Sequence, residues 1–201
     1  MHDEEDSLYA DMPQAGPEVR RGPRVVAAVD GSAGSRAAVR FALEDAARRN
    51  VPVEAVIAYR APDLWSEYSA LGSAEEARLQ QTLHSEAEQK ARAVVDEVAG
   101  ECAGPLPDVR VHAAQGPAAE VLIRESDGAD LLVVGSRGHG GFHTMLLGST
   151  SMQCAMHATC PVTVVHSPAS RRHRLLLHRE QRQQQQAERP AETLSGSPPP
   201  A

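Results

Sequence analysis

The chain has 201 residues, 41% hydrophobic but only 3% aromatic, enough for one core of aliphatic and alanine side chains, which excludes a wholly disordered polypeptide. No unbroken apolar run exceeds five residues, Val25 to Val29 being one such, against the roughly 20 a membrane-spanning helix needs, so no membrane partner is expected. The net charge is −7 and the middle of the chain is acidic, which argues against a general nucleic-acid binder, whose basic patch must neutralise phosphates.

Three zones follow one another. Residues 1–22 carry six acids and two arginines around Pro13, Gly16 and Pro17 without periodicity, and read as a flexible acidic arm. Its start, Met1-His2-Asp3-Glu4-Glu5-Asp6, is acidic where a secretory signal is basic and then apolar, so a cytoplasmic location is expected. Residues 23–166 are patterned throughout and read as one domain. Residues 167–201 hold six arginines and three glutamates, with glutamines from Gln181 to Gln186 broken only by Arg182 and a Pro198-Pro199-Pro200 end. A disordered Arg/Gln/Pro-rich tail is expected there, a solvated extension in preference to a binding surface.

Within the patterned zone, Arg24 to Val29 reads as a buried strand that stops at Asp30-Gly31-Ser32. A helix follows, with Val39, Ala42, Leu43 and Ala46 on its apolar face, Arg36, Arg40, Arg48 and Arg49 on its solvated side, and Asn50 at its end. Val51 to Tyr59 is a second strand, with Pro52 near its start where a missing amide donor is tolerated. Arg60 to Gly72 is a loop carrying Trp65 and Tyr68. Ser73-Ala74-Glu75-Glu76 is a capping box opening a long helix, in which Leu79, Leu83, Ala87, Ala91, Val94 and Val98 recur every three or four residues. A strand over Val109 to Ala113, with Val109, Val111 and Ala113 on one face, precedes a short helix at Ala118 to Glu125. A turn at Asp127-Gly128, a strand at Leu131 to Val134, a helix at Ser149 to His157 and a last strand at Val162 to Val165 complete the domain. Such alternation builds an α/β parallel sheet covered by helices on both faces.

Ligands of an open parallel sheet sit beyond the carboxyl ends of the strands. Two connections reach that end: Asp30-Gly31-Ser32, and the run from Gly135 to Thr150 with glycines at 135, 138, 140, 141 and 148. Glycines let backbone approach an anion closely, and the run enters a helix whose first amides point outward, a favourable phosphate site to which Ser149 and Thr150 add hydroxyls. The same glycines are also common turn formers, Asp30 can act merely as a helix cap, and Arg137 as a solvated charge.

Gly135 and Gly138, followed after nine residues by Gly148-Ser149, match the G-x2-G-x9-G-[ST] pattern of the universal stress protein family, which the zone 23–166 resembles. Val29-Asp30-Gly31-Ser32, the stretch Ala129 to Gly138 and Cys160-Pro161-Val162-Thr163-Val164-Val165 carry the likeness further. The resemblance implies a Rossmann-like domain of the adenine nucleotide alpha hydrolase type, with five parallel strands ordered 3-2-1-4-5, and binding of ATP with Mg. It implies adenine against Ala28 and Ala58 and Asp30 near the ribose and the phosphate-bound metal. It further places Gly135, Arg137, Gly138, Gly148, Ser149 and Thr150 at ribose and phosphates, and a homodimer through Val162 to Val165. No motif ties the register of the second strand, on which the Ala58 assignment depends.

Competing chemistry lacks its residues. There is no G-x-x-x-x-G-K-[ST], and the single lysine, Lys90, lies in the long helix. Gly31 and Gly34 do not make the G-x-G-x-x-G of a dinucleotide site, and no G-x-S-x-G elbow occurs. His139 and His143 are four apart, but the glycines around them oppose the helix a shared metal would need. Cys102, Cys154 and Cys160 leave one thiol over in any disulfide scheme and read as reduced. The expectation is an ATP-binding regulatory module serving an unknown protein partner, with at most slow hydrolysis. A nucleotide hydrolase or adenylyl-transfer enzyme in the same cleft would lose turnover but keep binding in His139→Ala or Asp30→Ala. A nucleotide-free interaction protein would bind no ATP at all.

Overall fold

In the computed structural model, which describes residues 22–60, 73–138 and 147–168, five strands form one parallel sheet in the order β3-β2-β1-β4-β5. They are β1 (Val25–Ala28), β2 (Val53–Tyr59), β3 (Val109–Gln115), β4 (Leu131–Gly135) and β5 (Val162–Val165). The helices between them are α1 (Ala33–Arg49), α2 (Ser73–Gly100), α3 (Ala118–Glu125) and α4 (Ser149–His157). Register aligns Val25 with both Val53 and Leu131, Val53 with Val109, and Leu132 with Val162.

Right-handed crossovers decide which face each helix covers. The chain steps from β1 through β2 to β3 in one direction, laying α1 and α2 on one face; it then crosses back to β4 and β5, laying α3 and α4 on the other. Successive strand residues feed opposite layers. Val25, Ala27 and Val29 pack with Val39, Leu43, Val94 and Val98 under α1 and α2, whereas Val26, Val56, Leu132 and Val134 pack with Val121, Leu122 and Cys154 under α3 and α4. The reversal of direction between β1 and β4 opens a crevice at their carboxyl ends.

The elements lie where hydrophobic periodicity puts them, with adjustments at their ends. Val51 and Pro52 stay outside β2, because Asn50 turns left-handed (φ 56°) and its helix end is closed by the Val51 amide donating to the Ala46 carbonyl at 3.1 Å. β3 runs on to Gln115, where it is still paired with Tyr59. Val109, Val111 and Ala113 do share one face, while Ala114 joins the opposite layer. α2 differs most: Ala87, Ala91, Val94 and Val98 are buried, but Leu79 and Leu83 are only half-buried. A 28-residue helix is about 42 Å long and a seven-residue strand about 23 Å, so its first turns overhang the sheet.

Arg24 closes the amino-terminal end of the sheet. Only 6% exposed, its guanidinium meets Glu54 at 3.1 Å and the carbonyls of Glu125 and Asp127 at 3.0 Å each, with Gly128 and Gly22 at 3.3 and 3.4 Å. A buried cation is tolerable there because its donors are matched by acceptors. Among the described residues, no helix is long and apolar enough to cross a membrane. The expected arm up to residue 21, Trp65 and Tyr68 with their loop from residue 61 on, and nearly all of the tail lie outside the described residues.

All three cysteines are free, and Cys154 is fully buried. Burial, helped by the neighbouring Cys160, pushes its thiol from the ordinary 9.0 up to about 11. The unfolded thiol ionises first as pH rises, so the stability contributed by the neutral native thiol is complete below pH 9 and drains away up to about pH 11. Thermal midpoints across that window are expected to fall more steeply in the native protein than in Cys154→Ala; parallel curves would contradict the burial argument.

Candidate functional site

The crevice is built from two connections. After β1, the Val29 amide still donates to the Val56 carbonyl at 2.8 Å, and the chain then leaves the sheet at Asp30. Gly31 takes φ +89°, a left-handed conformation that favours glycine. Asp30 Oδ1 accepts the Ser32 amide at 2.8 Å, and Ser35 Oγ accepts the Gly31 amide at 3.1 Å while donating to the Ser32 carbonyl at 3.0 Å. Ser32 Oγ caps α1 by accepting the Ser35 amide at 3.1 Å. The capping role open to Asp30 in the sequence therefore falls to Ser32, and the carboxylate is left to organise the loop.

After β4, Ser136 is buried, its amide donating to the Val165 carbonyl at 2.7 Å and its carbonyl accepting from Gly148 at 2.8 Å. Ser151 Oγ, also buried, donates to the Gly135 carbonyl at 2.6 Å. These bonds draw the first turn of α4 back onto the end of β4. Gly148 is its N-cap and has no side chain to cap with, so no side-chain cap bond closes that helix end. Amides at such an end are an anion site with the helix dipole behind them.

The two connections meet through glycines. A Cβ on Gly34 would lie 2.2 Å from the Arg137 carbonyl oxygen, and one on Gly135 would lie 2.6 Å from the Gly34 carbonyl carbon. A Cβ on Gly138 would lie 2.4 Å from Asp30 Oδ2. The first turn of α1 and the run after β4 thus touch backbone to backbone, and the Asp30 carboxylate faces the Gly138 backbone. Gly148 is different: a Cβ there would make only ordinary contacts of 3.6 Å and beyond, and its φ is −70°. Among the described residues, packing alone does not require a glycine at that position.

Of the residues singled out in the sequence, Asp30, Gly135, Arg137, Gly138 and Gly148 come together here, with Ser149 exposed and Thr150 half-exposed on the first turn of α4. The missing Cβ of Gly135 is explained by packing against Gly34. Ala28 lies on β1 opposite Val56, and Ala58 lies two residues further along β2, opposite Ala114; Ala28, Ala58 and Ala114 all belong to the α3/α4 layer. His139 and His143 lie outside the described residues, and among the described residues no group of three metal-ligating side chains occurs. Gly34, Ser35, Ser136 and Ser151 escaped the sequence reading. The Ser32-x-x-Ser35 spacing of an N-cap was the available signal for one of them; the others act through contacts distant in sequence.

The model of the universal stress protein family matches residues 23–166. A universal stress protein of Mycolicibacterium smegmatis is 35% identical over 146 residues, 70% of this chain and 45% of the relative. One from Mycobacterium tuberculosis (strain H37Rv) is 32% identical over 168 residues, 82% of this chain and 49% of the relative. The chain thus spans about half the length of these curated relatives. The solved structure of universal stress protein UspA from Lactobacillus plantarum superposes with a TM-score of 0.55 at 22% identity, covering 73% of this chain and 99% of that one, a likeness of fold.

The glycine contact makes a sharp contrast testable. Gly34→Ala forces a methyl into a backbone carbonyl that cannot swing aside, with an expected loss of about 1–3 kcal/mol by denaturant unfolding. Gly100→Ala, with nothing within 4 Å of the new methyl, is expected to be neutral or slightly stabilising. Equal effects would contradict the close approach.

Proposed function

Because the chain belongs to the universal stress protein family, we propose that it binds ATP with Mg at the carboxyl ends of β1 and β4 and serves as a nucleotide-dependent regulatory module of the stress response. The observation that carries this reading is the closure of Gly138 onto Asp30 Oδ2 beside an α4 terminus that has no side-chain cap. Phosphates fit the outward amides of the first turn of α4, with the hydroxyls of Ser149 and Thr150 beside them. Arg137, Gly135 and Gly138 border the ribose and phosphates from the β4 side. Asp30 serves the ribose and a metal that arrives with the phosphates. Ala28 and Ala58, small and on one face of adjacent strands, leave room for a flat base against the sheet.

Regulation is the better reading than rapid turnover. Hydrolysis needs a base aimed at water. Asp30 Oδ1 accepts the Ser32 amide, which orients the carboxylate as a ligand-holding group needs. The reader of the nucleotide state would be a protein partner on the surface around the crevice.

We also propose a homodimer through β5. Leu132 and Ser136 amides reach the carbonyls of Pro161 and Val165, so in a parallel ladder the amides and carbonyls of Val162 and Val164 face the outer edge. That edge has no strand partner among the described residues, and Met152 and Met156 are 50% and 64% exposed on α4. Val164→Pro removes an outward donor without breaking the β4 ladder. It is expected to shift light-scattering mass from two chains to one; a native protein that already runs as a monomer would end the dimer proposal.

Calorimetric titration of nucleotide-stripped protein with Mg-ATP is expected to saturate at one nucleotide per chain, and Gly138→Val, folded by circular dichroism, is expected to lose the signal. An inert native protein would overturn the nucleotide reading, and unchanged binding in Gly138→Val would overturn the placement of the site.

A further inference from the structure

One peptide plane in the crevice is held from both sides. The amide of the Gly31–Ser32 peptide donates to Asp30 Oδ1 at 2.8 Å, while its carbonyl accepts a close hydrogen bond from Arg36 Nη1. Gly31 sits at φ +89°, and the absence of a side chain removes most of the steric barrier to turning such a plane over. A flip would carry the Ser32 amide away from Asp30 and remove one of the bonds that orient its carboxylate toward Gly138.

Arg36 is itself aimed from the far side. Its Nε lies 3.2 Å from both carboxylate oxygens of Glu97 on α2, and its Nη2 lies 3.1 Å from Oε2. A planar guanidinium with two nitrogens fixed has its third nitrogen fixed as well, and that nitrogen meets the Gly31 carbonyl. Glu97 above all, with smaller help from Asp30 and Glu101, raises the pKa of Arg36, a guanidinium that is charged at physiological pH in any case. One turn further along α1, Arg40 pairs in a similar way with Glu101, which directly follows the end of α2.

We propose that Arg36 is a positioning residue of the crevice: anchored by Glu97, it locks the Gly31–Ser32 peptide and thereby keeps the Asp30 carboxylate turned to the glycine run. The locked peptide is a property of the ligand-free protein; only its effect on affinity rests on the nucleotide reading above. The geometry also links the ligand loop to α2, so a partner that moves Glu97 alters ligand affinity, and the reverse.

The test uses the full chain and four variants, Arg36→Gln, Arg36→Lys, Glu97→Gln and Arg40→Gln. In ligand-free protein, hydrogen exchange of the Ser32 amide is expected to quicken roughly tenfold in Arg36→Gln and to stay within about twofold in Arg40→Gln, although both lose a similar exposed ion pair. The Mg-ATP dissociation constant is expected to rise roughly tenfold in Arg36→Gln and to change by less than about twofold in Arg40→Gln. Glu97→Gln should fall between them. Arg36→Lys keeps the charge without the planar fork and is expected to stay near Arg36→Gln; full rescue by lysine would make charge, not aim, the active feature and overturn the proposal. Unchanged Ser32 exchange in Arg36→Gln, or equal shifts in Arg36→Gln and Arg40→Gln, would overturn it too. If the native protein binds no Mg-ATP, the exchange measurements still decide the role of Arg36, and only the nucleotide reading falls.

Discussion

The backbone contact between the first turn of α1 and the end of β4 is the constraint on which the crevice depends. A topological switch point separates the two connections that flank it, because the crossovers leave in opposite directions. Here the separation is closed to a distance that no side chain fits. Gly34 lies on the Arg137 carbonyl, Gly135 lies on Gly34, and Gly138 lies on Asp30. Each of these glycines is answered by a polar backbone or carboxylate atom, so the contact sets where the Asp30 carboxylate stands relative to the run after β4. Buried serines then finish the frame: Ser35 fastens Gly31, and Ser151 fastens the first turn of α4 to Gly135.

Rigidity at the opposite end supports this arrangement. Arg24 joins the start of β1 to Glu54 on β2 and to the carbonyls that end α3, holding together the elements that enter the sheet. The two apolar layers, one under α1 and α2 and one under α3 and α4, grip the central strands from both sides. A frame stiff at one end and closed by glycines at the other can present a preorganised set of amides, which lowers the ordering cost of binding a small anionic ligand.

Much of this was legible in the sequence because burial leaves a period. The runs Val25 to Val29 and Leu131 to Val134 declare central strands, and Val39, Ala42, Leu43 and Ala46 declare the inner face of α1. Gly135, Gly138 and Gly148-Ser149 point to the crevice through the pattern they share with the universal stress protein family. Contacts between residues far apart in the chain leave no such trace. Gly34 looks like a poor helix former until Arg137, more than a hundred positions away, is seen against it. Arg36 reads as one of four solvated arginines, and only the packing of α2 beside α1 shows that Glu97 aims it at Gly31. The register that puts Ala58 beside Ala114, on the same face as Ala28, is likewise a product of pairing, not of local pattern. Leu79 and Leu83 show the converse error: a periodic stripe promises a core even where the sheet beneath it has ended.

The central claim is that the α1 and α4 termini, brought together by glycines at the ends of β1 and β4, form one ligand site. Mapping amide chemical shifts of the isotope-labelled protein during addition of Mg-ATP tests this most directly. The account predicts saturable shifts concentrated at residues 30–35, 135–138 and 148–151, with the Arg24, Glu54 and Arg110 end of the sheet unmoved. Shifts centred on that opposite end, or none at any concentration, would contradict it.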